Sequence, residues 1–155
     1  MITDVRGRAD KYDVECETEG DDFMTAKVSF TADVNSITTN QPQRDAHLMS
    51  DDFFNAEKYS QIKFIATKYE LVDKNSSYEL YGNLTIRDIT KPLKLDVEFG
   101  GIVVDAYGNT RAGFIINGKI NRKDYGLRWD AITEAGSVVA SDEVRIHCEI
   151  QLIKS

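Results

Sequence analysis

Positive charge, histidine, cysteine and long apolar runs are all scarce in this chain. Lysine and arginine number 19 against 26 aspartates and glutamates, a net charge of −7. Nucleic acids and anionic membrane surfaces are held by basic patches, so the deficit argues against both as partners. No apolar run approaches the roughly 20 residues a membrane-spanning helix needs. The opening MITDVRGRAD has no apolar signal segment. It therefore reads as cytoplasmic as given, with a periplasmic or secreted destination the alternative if an N-terminal piece precedes it. The two cysteines and two histidines are too widely spaced for a metal-ligand pattern. A Gly-rich phosphate loop, a nucleophile elbow and a zinc-binding helix motif are also missing. The expectation is a protein that is not an enzyme and uses no metal or cofactor.

What the chain does have is alternation. Its 155 residues, 41% apolar and 29% charged, suit one globular domain over residues 1–155, large enough to bury a core without staples. From Ala26 to Val34 apolar residues alternate with polar ones, the signature of a half-buried strand. Similar rows run through Tyr12–Val14–Cys16, Ile62–Phe64–Ala66, Tyr78–Leu80–Gly82–Leu84–Ile86 and Leu93–Leu95–Val97–Phe99. Two more are Ala112–Phe114–Ile116–Gly118–Ile120 and Val144–Ile146–Cys148–Ile150–Leu152. Tyr69 and Leu71 have the opposite phase to Phe64, which predicts a bulge near Thr67. Residues 87–92 read as a turn, and 102–104 as a strand continuing after Gly100-Gly101.

One stretch breaks the pattern: NQPQRDAHLMSDDFFNAEKYSQIKF, residues 40–64. Pro42 suits a first helical position. Ala46, Met49 and Phe53 share a helical face, and Ser50 can cap a second turn beginning at Asp51-Asp52. Such a plug must bury Leu48, Met49, Phe53 and Phe54 against the sheet. Strands joined by short turns imply an antiparallel meander with one buried face. The predicted fold is all-β: an antiparallel, lipocalin-like barrel of about seven to eight strands with a short helical insert. Small inward residues (Gly82, Gly118, Ala26, Ala32, Ala66, Ala112) either leave room for a ligand or mark bends in a packed interior.

Five ordered blocks carry a more specific signal: VRGRADKYD, SITTNQPQRDAHLMSDDFFNAEKY, YGNLTIRDITKPLKLDVEF, INRKDYGLRWD and SDEVRIHCEI. With them the chain resembles, over essentially its whole length, the YceI-like family of lipocalin-like lipid binders. The resemblance implies a barrel around a hydrophobic tunnel with the insert near its mouth. It also implies that the tunnel carries or sequesters a long-chain lipid, of the polyisoprenoid class (a quinone or prenyl phosphate) first and fatty acids or amides second. Three departures stand out. Ser60 replaces a usual Pro, and Asp130 stands where Asn is common. Family members usually begin one strand before the position of Met1. Without that strand the row Val144–Ile153 is expected to present an open edge, which invites pairing between chains as a homodimer or strand swap. The rival reading is a packed β-domain docking proteins through that edge.

Val14, Phe30, Phe64, Leu80, Leu84, Phe99, Phe114, Ile116 and Val144 are the candidate tunnel lining, with Phe53 and Phe54 from the insert. Each is equally readable as ordinary core. Trp129 caps the tunnel, contacts ligand or simply packs. Arg44, Asp45 and His47 are the charged cluster of the insert. Arg44 is suited to a head-group phosphate, carboxyl or carbonyl, with Asp45 and His47 beside it; the alternative is that they tie the insert to the barrel rim. A catalytic Asp–His pair would need a nucleophile, and Ser50 is better explained as a cap. Cys16 and Cys148 read as small buried hydrophobes, a bridge between them being the alternative, and His147 as a solvated outward residue.

Overall fold

The alternating rows become strands in the computed structural model, which describes residues 6–19, 22–72, 76–127 and 142–154, with backbone alone for residues 22–26. In chain order these are β1 (Arg8–Ala9), β2 (Tyr12–Glu19), β3 (Asp22–Asp33) and β4 (Ile37–Thr38). The helix α1 (Pro42–Met49) follows, then β5 (Gln61–Leu71), β6 (Ser77–Ile86), β7 (Ile89–Val104), β8 (Thr110–Asn121) and β9 (Glu143–Ile153). Seven strands form one antiparallel sheet in the order β2-β3-β5-β6-β7-β8-β9, while β1 pairs only with β4. Each strand of the large sheet pairs with the next one in it. Short turns join β5–β6, β6–β7 and β7–β8, whereas β3 reaches β5 through the insert and β8 and β9 are separated by residues 122–142.

Register explains the apolar rows. Val14 lies opposite Phe30, Phe30 opposite Phe64, and Phe64 opposite Leu84, so one inward layer runs across four strands. On the far side Phe99 faces Phe114, and Ile116 faces Cys148. The predicted bulge is present: pairing of β5 with β6 shifts between Ala66 and Lys68, which returns Tyr69 to the inner face. A second shift, between Phe99 and Gly101, sits where Gly101 takes φ 103. That left-handed value is open to glycine at little steric cost.

The core gathers around β6, the middle strand of the sheet. Phe64, Leu80, Leu84, Ile86, Leu95, Val97, Tyr125 and Leu127 are buried together. Phe53 and Phe54 of the insert pack onto them, their rings edge to face at 5.1 Å. Gly82 belongs to this packing. A Cβ there would lie 2.5 Å from the Phe64 ring and 2.5 Å from the Ile65 carbonyl, so the glycine makes room for a phenylalanine. Gly118 does the same for Leu95. For these two positions the packed-interior alternative holds.

Several local expectations change. Val34 begins a 3-10 turn (Val34–Ser36) and is buried there. The 87–92 turn shrinks to Arg87-Asp88, because Ile86 already pairs with Ile89. Pro92 lies within β7 opposite Asn83, along a stretch bonded to β6 alone, since β8 joins only from Asp96. A strand tolerates a missing N–H on such an unpaired side. Ser50 ends α1: its hydroxyl donates to the His47 carbonyl at 2.5 Å. Ala46, expected on the buried face, is exposed.

Candidate functional site: an apolar trough

The inner face of the curled sheet is filled at one end and open at the other. At the filled end the insert, the 3-10 turn Arg122–Tyr125 and the starts of β5 and β7 meet. Toward the other end lies a trough lined by Val14 and Cys16 of β2, Val28 of β3, Tyr69 of β5, and Tyr78 and Leu80 of β6. Val97 and Phe99 of β7, Phe114 and Ile116 of β8, and Ile150 and Leu152 of β9 complete it. All seven strands of the large sheet contribute. Because β2 and β9 are the ends of the strand order, the sheet has curled until its two edges border one cavity. The empty space measures about 600 Å³, open solvent at the mouth included, and leaves about 50 Å³ for the centres of water-sized spheres.

Among the described residues no charged side chain lines the trough. Desolvation raises the Cys16 and Cys148 thiols above their usual range. Burial pushes the Tyr69 hydroxyl up further, with a smaller contribution from the nearby Cys16 thiol. These shifts share one cause, an environment too poor in water to favour an ionised group. Both cysteines are free thiols.

The structure thus brings Val14, Leu80, Phe99, Phe114 and Ile116 together on the trough wall. It places Phe64 and Leu84 in the packed core, with Phe30, Phe53 and Phe54 against that core. Val144 keeps the inward phase of β9 but is 39% exposed at the strand's start and lines nothing. Trp129 lies outside the described residues. Lining residues absent from the expected set include Cys16, Tyr69, Tyr78, Ile150 and Leu152. Their rows were legible; which end of each row stayed open was not.

The insert's charged cluster is occupied with holding the insert. Arg44 donates through Nε to the Thr39 hydroxyl at 2.8 Å and through Nη2 to the Thr39 carbonyl at 3.0 Å. Asp45 accepts from the Thr38 hydroxyl and from the Thr39 N–H and hydroxyl, and the Thr39 hydroxyl is the first cause of its lowered pKa. His47 Nε2 lies 3.1 Å from Asp52. None of the three borders the trough.

Two arginines that sequence reasoning passed over complete the filled end. Arg87, at a left-handed φ of 55, donates to the Asp51 and Phe53 carbonyls at 3.2 and 3.1 Å and pairs with the Asp51 carboxylate. It ties the β6–β7 turn to the insert. Arg122, 2% exposed, donates to the Leu127 carbonyl at 2.6 Å and reaches Asp142 at 3.4 Å. A buried guanidinium is tolerated only with such partners.

An open antiparallel sheet curled around an apolar, uncharged trough defines a binding-type fold. The model of the YceI-like domain matches residues 1–152, and the chain belongs to that family. It is 33% identical over 152 residues to the UPF0312 protein SAS2572 of Staphylococcus aureus (strain MSSA476), covering 97% of this chain and 85% of the relative. The UPF0312 protein SA2479 of strain N315 is 34% identical over the same share. Among solved structures, the Campylobacter jejuni YCEI protein superposes with a TM-score of 0.86 at 31% identity, covering 100% of this chain and 88% of that one. Burkholderia cenocepacia BcnA, at 17% identity and a TM-score of 0.80 over 94% of this chain and 86% of its own, shares the fold. No helix among the described residues is long and apolar enough to cross a membrane.

Proposed function

We propose that the trough binds a long-chain apolar lipid, polyisoprenoid before fatty acid or amide, and carries or sequesters it without chemistry. The observation that carries this reading is the lining: twelve residues from seven strands, none of them charged. Binding would be driven by removing the tail's apolar surface from water, at roughly 25 cal/mol per Å². The ligand contacts are then Val14, Leu80, Phe99, Phe114 and Ile116 with their neighbours on the wall, while Arg44, Asp45 and His47 anchor the insert. The trough is open along part of its length and bordered by both β2 and β9, so a lipid would lie along it and itself cover the gap between those two strands.

A second reading rests on that gap. β2 and β9 each pair on one side only among the described residues, and an unpaired edge is a template for another chain. A homodimer closing the trough along β9 follows from it.

Native mass spectrometry of freshly purified protein, followed by organic extraction, tests both. The lipid reading expects a stoichiometric apolar adduct, and a melting temperature that rises with added prenyl lipid by mass action. An empty spectrum with no ligand-dependent stabilisation would sink it. A dimeric mass supports the edge reading, and a monomer at all concentrations removes it.

A further inference from the structure

Between β7 and β8 the chain reads IVVDAYGNT, apolar where a hairpin end is ordinarily polar. β7 pairs with β6 only as far as Glu98, but with β8 as far as Val104 opposite Thr110. The β7–β8 hairpin therefore overhangs β6 by about five residues, roughly 16 Å of strand, at the open end of the trough. The inner apolar rows run on into this overhang. Ile102 lies opposite Ala112, which lies opposite Leu152 of the trough wall, and Val104 follows Ile102 in the same phase. Leu71, opposite the wall residue Tyr78, extends β5 in the same way. Of the eleven large apolar side chains exposed among the described residues, six belong to this hairpin and the β5–β6 turn: Leu71, Val72, Ile102, Val103, Val104 and Tyr107. Exposed apolar residues scattered singly need no explanation, whereas a cluster marks an interaction surface. The hairpin tip is braced. The Asp105 carboxylate accepts from the Tyr107 and Asn109 N–H groups, each at 2.9 Å, and from Arg111 Nε at 2.7 Å, and Tyr107 is left 90% exposed. Charges beside the cluster cancel in pairs, Asp105 with Arg111 and Lys68 with Glu70.

From this placement we infer that the rim made by these two turns docks on the surface of an electrically neutral lipid bilayer, with Val103, Val104 and Tyr107 entering the interface, and that the trough exchanges its lipid there. The inference rests on the lipid-binding reading and deepens it by naming the surface the lipid comes from. A tail in transit through water loses about 0.8 kcal/mol per exposed CH₂, so exchange needs an apolar path that is continuous from bilayer to trough. Phe99, Ile102 and Val104 on β7, with Tyr69 and Leu71 on β5, lay down that path. The shape of the cluster favours a bilayer over a folded partner: its apolar groups sit on the tips of two separate turns, which a fluid surface accommodates without matching contours. Tyrosine also suits the membrane–water interface, its ring on the apolar side and its hydroxyl in water. Charge selects the kind of bilayer. The paired charges give the rim no excess of cations to hold anionic head groups, and a chain of net charge −7 is repelled by an anionic leaflet.

Two measurements separate rim from trough. Flotation with phosphatidylcholine vesicles reads docking, and the melting shift on adding a prenyl lipid from ethanol reads the trough. The proteins are wild type, Val103→Ser/Val104→Ser/Tyr107→Ser, the single variant Tyr107→Asp, and Ile65→Ser as a control, an exposed apolar residue of β5 away from the rim. Wild type is expected to float, and the triple variant to partition at least about tenfold more weakly. Tyr107→Asp should move the same way by a smaller factor, and Ile65→Ser should match wild type. The lipid-dependent melting shift is expected in all four. Docking should persist as salt rises from about 0.05 to 0.5 M, and should not strengthen when phosphatidylglycerol is added. Equal flotation of wild type and the triple variant overturns the inference, as does binding that requires phosphatidylglycerol and fades with salt. A dimer that the triple variant splits, with no flotation, assigns the face to a second copy and overturns it too. Stabilisation by lipid without flotation removes this inference and leaves the lipid reading standing. Flotation without stabilisation ends the lipid reading and leaves the docking face.

Discussion

The two ends of this sheet are built from the same alternating rows and come to opposite results. At the insert end Phe64 reaches over Gly82, Leu95 over Gly118, and Phe53 and Phe54 close the space from outside the sheet. At the other end the rings of Phe99 and Phe114 meet tilted at 5.2 Å on neighbouring strands, and no element among the described residues covers them. An apolar face is a core when something packs on it and a binding surface when nothing does. The difference lies in the visiting elements, not in the hydrophobicity of the rows.

Truncating the two ends separates them most sharply. Phe64→Ala, at a site 5% exposed, is expected to cost about 3–5 kcal/mol of stability, read as a large drop in melting temperature. Phe114→Ala, on the trough wall, is expected to cost clearly less and to act on lipid binding. Equal losses at both sites would mean that the trough is packed in solution. The same contrast applies to acidic substitutions: Phe114→Asp is expected to leave a folded protein without lipid, whereas Phe64→Asp places a carboxylate in the packed core and is expected to unfold it.

Next in size is the tie between turn and insert. Arg87→Ala removes charge-assisted bonds to the Asp51 and Phe53 carbonyls, an expected loss of about 1.5–3 kcal/mol. Arg87→Gly loses the same bonds but relieves the left-handed backbone at φ 55, so it should melt higher than Arg87→Ala. The reverse order would show that backbone strain there is negligible. Hydrogen exchange should rise in residues 51–54 for both.

The smallest effect is electrostatic and belongs to the open end. Asp105, in the β7–β8 turn, is held down to about 2, first by the Arg111 guanidinium at 2.7 Å and then by the Asn109 backbone N–H. A carboxyl whose folded pKa lies below its unfolded value of about 3.9 stabilises the fold above that value. The contribution fades as pH falls from about 4 through about 2. Asp105→Asn should therefore lower stability modestly at neutral pH and flatten the acid limb between those limits. An unchanged limb would assign acid sensitivity to other carboxylates, Asp45 of the insert among them.

Much of this was legible beforehand. The reversed phase of Tyr69 gave the bulge at Thr67, Pro42 gave the start of α1, and the five sequence blocks gave the family. Arg87 was not legible, because its role depends on a left-handed turn and on carbonyls more than thirty positions away. The assignment of Arg44, Asp45 and His47 to a head group also could not be judged from spacing. Thr38 and Thr39, which saturate the first two, read only as polar residues before the helix.

The sequence by itself determined the period-two rows, their order as an antiparallel meander, the helical insert and the absence of charge on the inward face. Those properties are local: each follows from which residue types sit two or four positions apart. Tertiary structure decided which stretch of each row became core and which became trough wall. That choice depends on what neighbouring strands bring opposite, a phenylalanine over a glycine at one end and the Phe99–Phe114 pair on the trough wall at the other, and no single row contains it.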